Sequence, residues 1–188
     1  NLFLVTLFTG LREGEVLGLK WDCVDFTNGS LLVGRQLQRK RDGSSQYYLI
    51  SPKSGKFRKV VLAPFVQDIL HRQRAEQELW RRVAGRDWID TGLVFTDELG
   101  DNLTPETVYK NFKKVAIEIG CPNLHFHSLR HSYAVAALQS GDDIKTVQEN
   151  LGHYTAAFTL DVYGHVTDKM RQDSADRMQK YIDILHDE

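Results

Sequence analysis

Thiols are scarce: Cys23 and Cys121 are the two cysteines of a 188-residue chain, and they form no CxxC pair. That excludes a disulfide framework and a metal site built on thiolates. Long apolar runs are missing as well. No stretch reaches the roughly eighteen residues that a membrane-spanning helix requires, and the apolar opening NLFLVTLF lacks the basic flank and small-residue cleavage site of a secretory signal. A cytoplasmic protein with no membrane partner is the expectation. Neither an HExxH helix nor a GxxxxGK phosphate loop followed by serine or threonine occurs, so the usual signatures of a zinc hydrolase and of a nucleotide-binding loop are absent. Internal repeats and low-complexity tracts are also lacking. What remains is an ordinary folded composition, 41% hydrophobic and 26% charged, sufficient for one domain with a substantial core.

The net charge of −1 conceals an uneven distribution. Between positions 35 and 59 lie Arg35, Arg39, Lys40, Arg41, Lys53, Lys56, Arg58 and Lys59, opposed only by Asp42. Such a block is either a solvated loop face or a contact for a polyanion.

Periodicity divides the chain into three regions. An apolar pattern is already running at Asn1, without a methionine or a cap, which implies that further chain precedes it. Leu4, Leu7, Phe8 and Leu11, then Val16, Leu17 and Leu19, predict two short helices around Thr9-Gly10, the second ending near Trp21 and leaving Arg12 close to a helix start. From Ser30 to Leu62 the runs SLLVGRQ, SQYYLI and FRKVVLA, separated by Asp42-Gly43 and by Lys53-Ser54-Gly55-Lys56, predict a small antiparallel three-stranded sheet. Beyond it the pattern is helical. Residues 64 to 84 place Val66, Ile69 and Leu70, and later Leu79, Trp80 and Val83, on one face, with Gly85 as the stop. Thr104-Pro105 supplies a cap and a first-turn proline for a helix carrying Val108, Phe112, Val115, Ala116 and Ile119. Further helices are expected from about Ser128 to Ser140, through Ile144, Val147 and Leu151 to Gly152, and at the C-terminus through Ser174, Met178, Tyr181, Ile182 and Leu185. The fold class is therefore α+β, mainly helical with a small sheet.

Several residues carry possible chemistry, each with a plainer alternative. Arg12, in TGLREGEVLGLKW, can pair with Glu13 or Glu15 on a helix surface. His127 and Arg130, at i and i+3 in HSLRH, share one face of a helix start and can point into a common site. His127 and His131, at i and i+4, can ligate zinc only with a third ligand, and no cysteine or carboxylate stands in register for it. Tyr163 follows Leu160 at i+3 and suits a core aromatic. As a nucleophile it needs positive or imidazole neighbours, because a phenol ordinarily titrates near pH 10.

Taken together, the order of an arginine, a lysine in a hairpin turn, HxxR, LGH and a tyrosine ten residues beyond the last histidine resembles the catalytic domain of the tyrosine recombinases, the phage and transposon integrase family. TGLREGEVLGLKW resembles the family's first-arginine box, PKSGKFRKV its hairpin lysine, HFHSLRHSYA its HxxRH box and LGHYTAAFTLDVYGHV its closing segment. The resemblance implies that Tyr163 attacks a scissile DNA phosphodiester to give a 3′-phosphotyrosine and a free 5′-hydroxyl. It implies that Arg12 and Arg130 grip the nonbridging oxygens, that His153 donates to the same phosphate, that His127 serves proton transfer near the tyrosine, and that Lys53 protonates the leaving oxygen. Lys56 and Lys59 compete for the lysine role, and Tyr154 for that of the nucleophile. Glu15 and His131 take supporting places, and Arg35, Arg39, Lys40, Arg41, Lys56, Arg58 and Lys59 are expected to contact DNA.

The same resemblance implies an enzyme without metal or nucleotide cofactor, because the phosphotyrosyl bond conserves the energy needed for rejoining. Its partners would be double-stranded DNA core sites and further copies of itself, in a tetrameric synapse at the nucleoid of a bacterial host. Residues 1–188 would form a single catalytic domain, with the core-binding and arm-binding domains of the family outside this chain. Residues 167–188 would form a tail helix able to dock on a neighbouring protomer.

Overall fold

The computed structural model describes residues 1–40, 42, 46–51, 57–152 and 168–186. Arg41, Lys53, Lys56, His153, Tyr154 and Tyr163 therefore lie outside the described residues. Contacts divide the chain into two compact units, 1–133 and 134–188.

In the first unit, α1 (Leu2–Thr9) ends at Gly10, whose left-handed backbone (φ 65°) lets its N–H reach back to the Thr6 carbonyl. Glycine takes that conformation without steric cost, so the chain turns there. Leu11 then enters the core, and α2 (Glu13–Leu17) follows at once. The second helix is shorter than its apolar pattern suggested. It stops at Gly18, and a 3-10 turn at Trp21–Cys23 takes the residues expected to extend it.

The strands also differ from the expected three. Strands β1 (Val24–Asp25), β2 (Ser30–Val33) and β5 (Arg58–Val61) form one antiparallel sheet in the order β1-β2-β5, while β3 (Gln36–Arg39) pairs with β4 (Tyr47–Ile50) in a separate hairpin. The run SLLVGRQ is thus divided at Gly34-Arg35: Leu31 faces Val60 in one ladder and Leu37 faces Leu49 in the other. At the break the Phe57 ring fills the space that a Cβ on Gly34 would need. The β3–β4 hairpin leans on α2, where Gly14 and Gly18 meet the backbone of Gln36 and Leu37.

Helix α3 (Pro64–Ala84) and helix α4 (Pro105–Glu118) have the expected bounds, each starting on a proline, and the Thr104 hydroxyl accepts from the Thr107 N–H at 3.2 Å. The buried stripe of α3 runs Val66, Ile69, Leu70, Gln73, Gln77. Leu79 and Val83 instead face outward, Val83 being 89% exposed. At 3.6 residues per turn, 73 and 77 continue the line of 66 whereas 79 and 83 leave it. The two glutamines are tolerated inside because they are bonded. Gln77 accepts from the Trp21 indole at 2.7 Å and donates to the Leu93 carbonyl and the Thr96 hydroxyl at 3.0 and 2.9 Å.

Phe3, Phe112 and Phe126 meet edge to face with centroids 5.5 to 6.1 Å apart, joining α1, α4 and the segment before α5 (His127–Ser140). Lys113 on α4 donates to the Pro122 and Leu124 carbonyls at 2.9 and 2.8 Å, fixing the same segment.

The second unit holds the last part of α5, α6 (Ile144–Leu151) and α7 (Asp168–His186). Asp143 caps α6 through Thr146, and Gly152 ends it in a left-handed turn. Ala134, Leu138, Val147 and Leu151 are buried, whereas Met178, Tyr181 and Leu185 on α7 are exposed.

A Cβ on Gly18 would lie 2.7 Å from the Leu37 nitrogen. Gly18→Ala is therefore expected to force α2 and β3 apart at a cost of roughly 1 to 3 kcal/mol, read as a lower urea midpoint. An unchanged midpoint would show that the hairpin yields freely.

Candidate active site

Arg12 occupies the N-cap of α2, with an extended backbone (φ −72°, ψ 154°). The helix begins there because Glu15 reaches back, its carboxylate accepting from the Arg12 N–H at 2.8 Å and from the Arg12 guanidinium at 2.9 Å. An Arg12–Glu15 pair therefore forms, but on a buried carboxylate rather than on a helix surface, and it leaves the Arg12 side chain 41% exposed. Glu15 is only 5% exposed and takes two further bonds, from both terminal nitrogens of Arg58 at 2.8 and 2.6 Å. Burial alone would raise its pKa. The fork from Arg58 and the contacts from Arg12 outweigh that effect and hold the carboxyl at about 2.

Helix α5 delivers the second group. Phe126 is anchored in the aromatic core, so His127 and Arg130 leave the following turn at a fixed height. Arg130 is 2% exposed and donates to the Gly10 carbonyl at 2.6 Å, across 120 residues of sequence. Gly10 lies two positions before Arg12, so this bond brings the HxxR box to the first-arginine box. His131 crosses His127 edge to face, with centroids 4.6 Å apart. Burial, and then the positive fields of His131, Arg130 and Arg12, lower the His127 pKa from its usual value. The imidazole is therefore neutral near pH 7 and able to take a proton. Beside it, Glu13, Pro105, Glu106, Tyr109, Lys110 and His125 line a recess. Burial and the Glu106 charge raise the Glu13 pKa.

The structure thus gathers Arg12, Glu15, His127, Arg130 and His131. The basic residues expected to meet DNA are arranged unevenly. Arg39 and Lys59 are exposed, Lys40 bonds Gln46 at 2.5 Å, and Arg35 makes an exposed ion pair with Asp22 at 3.4 Å. Arg58 is turned inward onto Glu15. Strand alternation carried that signal, since Arg58 stands two residues before buried Val60 and Lys59 stands on the other face. Among the described residues no group of three or more potential metal ligands was found, and no helix is long and apolar enough to cross a membrane.

Two guanidinium groups and a neutral imidazole converging from distant segments suit an anion whose charge grows during reaction, as a phosphodiester's does. The chain belongs to the phage integrase family, whose model matches residues 1–170. A tyrosine recombinase XerC-like protein of Caldanaerobacter subterraneus subsp. tengcongensis is 34% identical over 188 residues, covering 94% of this chain and 48% of its own. The ICEBs1 integrase of Bacillus subtilis is 26% identical over 184 residues, covering 95% and 48%. The chain spans about half the length of these curated relatives. Among solved structures, the Tn1549 transposon integrase in complex with transposon right end DNA superposes with a TM-score of 0.75 at 21% identity, over 94% of this chain and 57% of that one. The XerH recombinase bound to its difH substrate gives 0.65 at 26% identity, over 93% and 44%. The mainly helical fold with small antiparallel sheets is that of the tyrosine recombinase catalytic domains.

Because the Glu15 pKa is depressed in the folded state, its contribution to stability is complete above the unfolded value of 4.5 and is lost as pH falls toward about 2. That contribution corresponds to roughly 3 kcal/mol. Glu15→Gln is expected to lower the urea unfolding free energy by about that amount at pH 7, with the gap to wild type narrowing by pH 3. A gap independent of pH would show that the carboxylate charge is not the source of the stability.

Proposed function

We propose that this chain is the catalytic part of a site-specific recombinase that cleaves and rejoins DNA for the integration or excision of a mobile element. The Tyr163 oxygen attacks the scissile phosphorus, the bond to the 5′ oxygen breaks, and a 3′-phosphotyrosine is left. Neutral His127 accepts the phenolic proton, and the Lys53 ammonium gives one to the departing 5′ oxygen. Arg12 and Arg130, with His153, bind the nonbridging oxygens, and their fixed charge serves where other phosphoryl-transfer sites use metal ions. Rejoining runs the same steps backwards, with the 5′-hydroxyl as nucleophile.

The observation that carries this reading is the bond from Arg130 to the Gly10 carbonyl, which sets two arginines from opposite ends of the unit beside one neutral histidine. Family membership and the order of the sequence boxes support the remaining roles. Arg39, Lys40 and Lys59, with Arg35, Arg41 and Lys56, are assigned to the DNA backbone. The exposed apolar residues of α7 support docking of the tail on a neighbouring protomer, within a tetramer assembled on two DNA sites.

Covalent trapping on a nicked suicide duplex carrying the element's core site, in EDTA, tests the chemistry. Wild type and Tyr154→Phe are expected to form an adduct that survives denaturation, and Tyr163→Phe none. Removing the Arg130 guanidinium is expected to slow adduct formation by about 100- to 1,000-fold. DNA binding by the full-length protein without any adduct would instead indicate a binding protein that has lost catalysis.

A further inference from the structure

Arg58 belongs to the basic block by sequence, yet its guanidinium serves a carboxylate. Both terminal nitrogens grip Glu15, at 2.8 Å to one oxygen and 2.6 Å to the other, and its side chain is only 15% exposed. The same two oxygens hold the Arg12 backbone N–H and the Arg12 guanidinium. One buried carboxylate is thereby shared by two arginines, one from α2 and one from β5.

The sharing has two physical consequences. A carboxylate held by four hydrogen bonds has few orientations left, so the fork from Arg58 fixes the surface against which Arg12 rests. Charge is the second. An isolated Arg12–Glu15 pair would be nearly neutral and would present little positive potential to a phosphate. With Arg58 included the trio is net positive, so Arg12 keeps its charge for the substrate.

We propose that Arg58 is a positioning residue for phosphodiester transfer, acting through Glu15 to orient Arg12 and preserve its positive potential. It touches neither the phosphate nor the leaving group. This inference rests on the recombinase reading, and the test separates the two.

Three measurements on the full-length protein decide it: adduct formation at saturating nicked duplex, the same with a bridging 5′-sulfur at the scissile phosphate, and affinity for random-sequence duplex as salt is varied. Sulfur leaves without needing a proton, so the second substrate removes any dependence on Lys53. Arg58→Ala is expected to slow adduct formation by about 10- to 100-fold on both substrates, with an unchanged salt slope. Arg58→Lys keeps the charge but not the fork, and is expected to recover part of the rate. It also stands in should Arg58→Ala fail to fold, which a melting curve reveals. A salt slope reduced by about one, with the saturated rate intact, would make Arg58 a phosphate contact and overturn the proposal. A defect that disappears with sulfur would place its action on the leaving group and overturn it equally. Normal rates in both variants would also refute it, whereas a wild type that forms no adduct would refute the recombinase reading itself.

Discussion

The organisation of the site depends on one buried negative charge. Burying a carboxylate is costly unless opposite charge and hydrogen bonds meet it, and Glu15 meets that cost with two arginines and a backbone amide. In exchange it starts α2, fixes Arg12 at the cap and ties β5 to the helix. Removing Glu15 would leave two arginines without their shared counter-charge, and removing either arginine would loosen the carboxylate that holds the other, so the three side chains act as one unit rather than as a sum of independent contacts.

The second constraint is apolar. Phe3, Phe112 and Phe126 interlock across α1, α4 and the approach to α5, so the start of α5 is placed by the core itself. Gly10 completes the connection. Its left-handed turn ends α1, and its carbonyl accepts from the buried Arg130 guanidinium. Packing thus sets the separation of the two arginine boxes, and polar bonds set the orientation of their side chains. Rigid elements carrying such groups are what preorganised charge stabilisation requires.

Much of this was legible in the residue order. The helices with proline starts and glycine stops were readable because each boundary is marked locally, as at Pro64, Gly85, Pro105 and Gly152. The family was readable from the resemblance of the ordered sequence boxes to the tyrosine recombinases, and the chain belongs to that family. What escaped was set by long-range partners. The inward course of Gln73 and Gln77 depends on bonds to Asn1, Trp21, Leu93 and Thr96, none of which a helical period contains. The division of SLLVGRQ between two ladders depends on Phe57 covering Gly34. Arg58 read as part of a DNA-facing block because charge was counted along the chain, whereas alternation in β5 turns it toward Glu15.

A direct measurement on that carboxylate tests the account at its base: carbon-13 NMR titration of the Glu15 side chain in the otherwise unaltered protein. A resonance that stays at its ionised position from pH 7 down to pH 3, with a midpoint near 2, is the expected result. A midpoint at or above the ordinary value of 4.5 would mean that Arg12 and Arg58 do not converge on Glu15, and the organisation described for the site would be wrong.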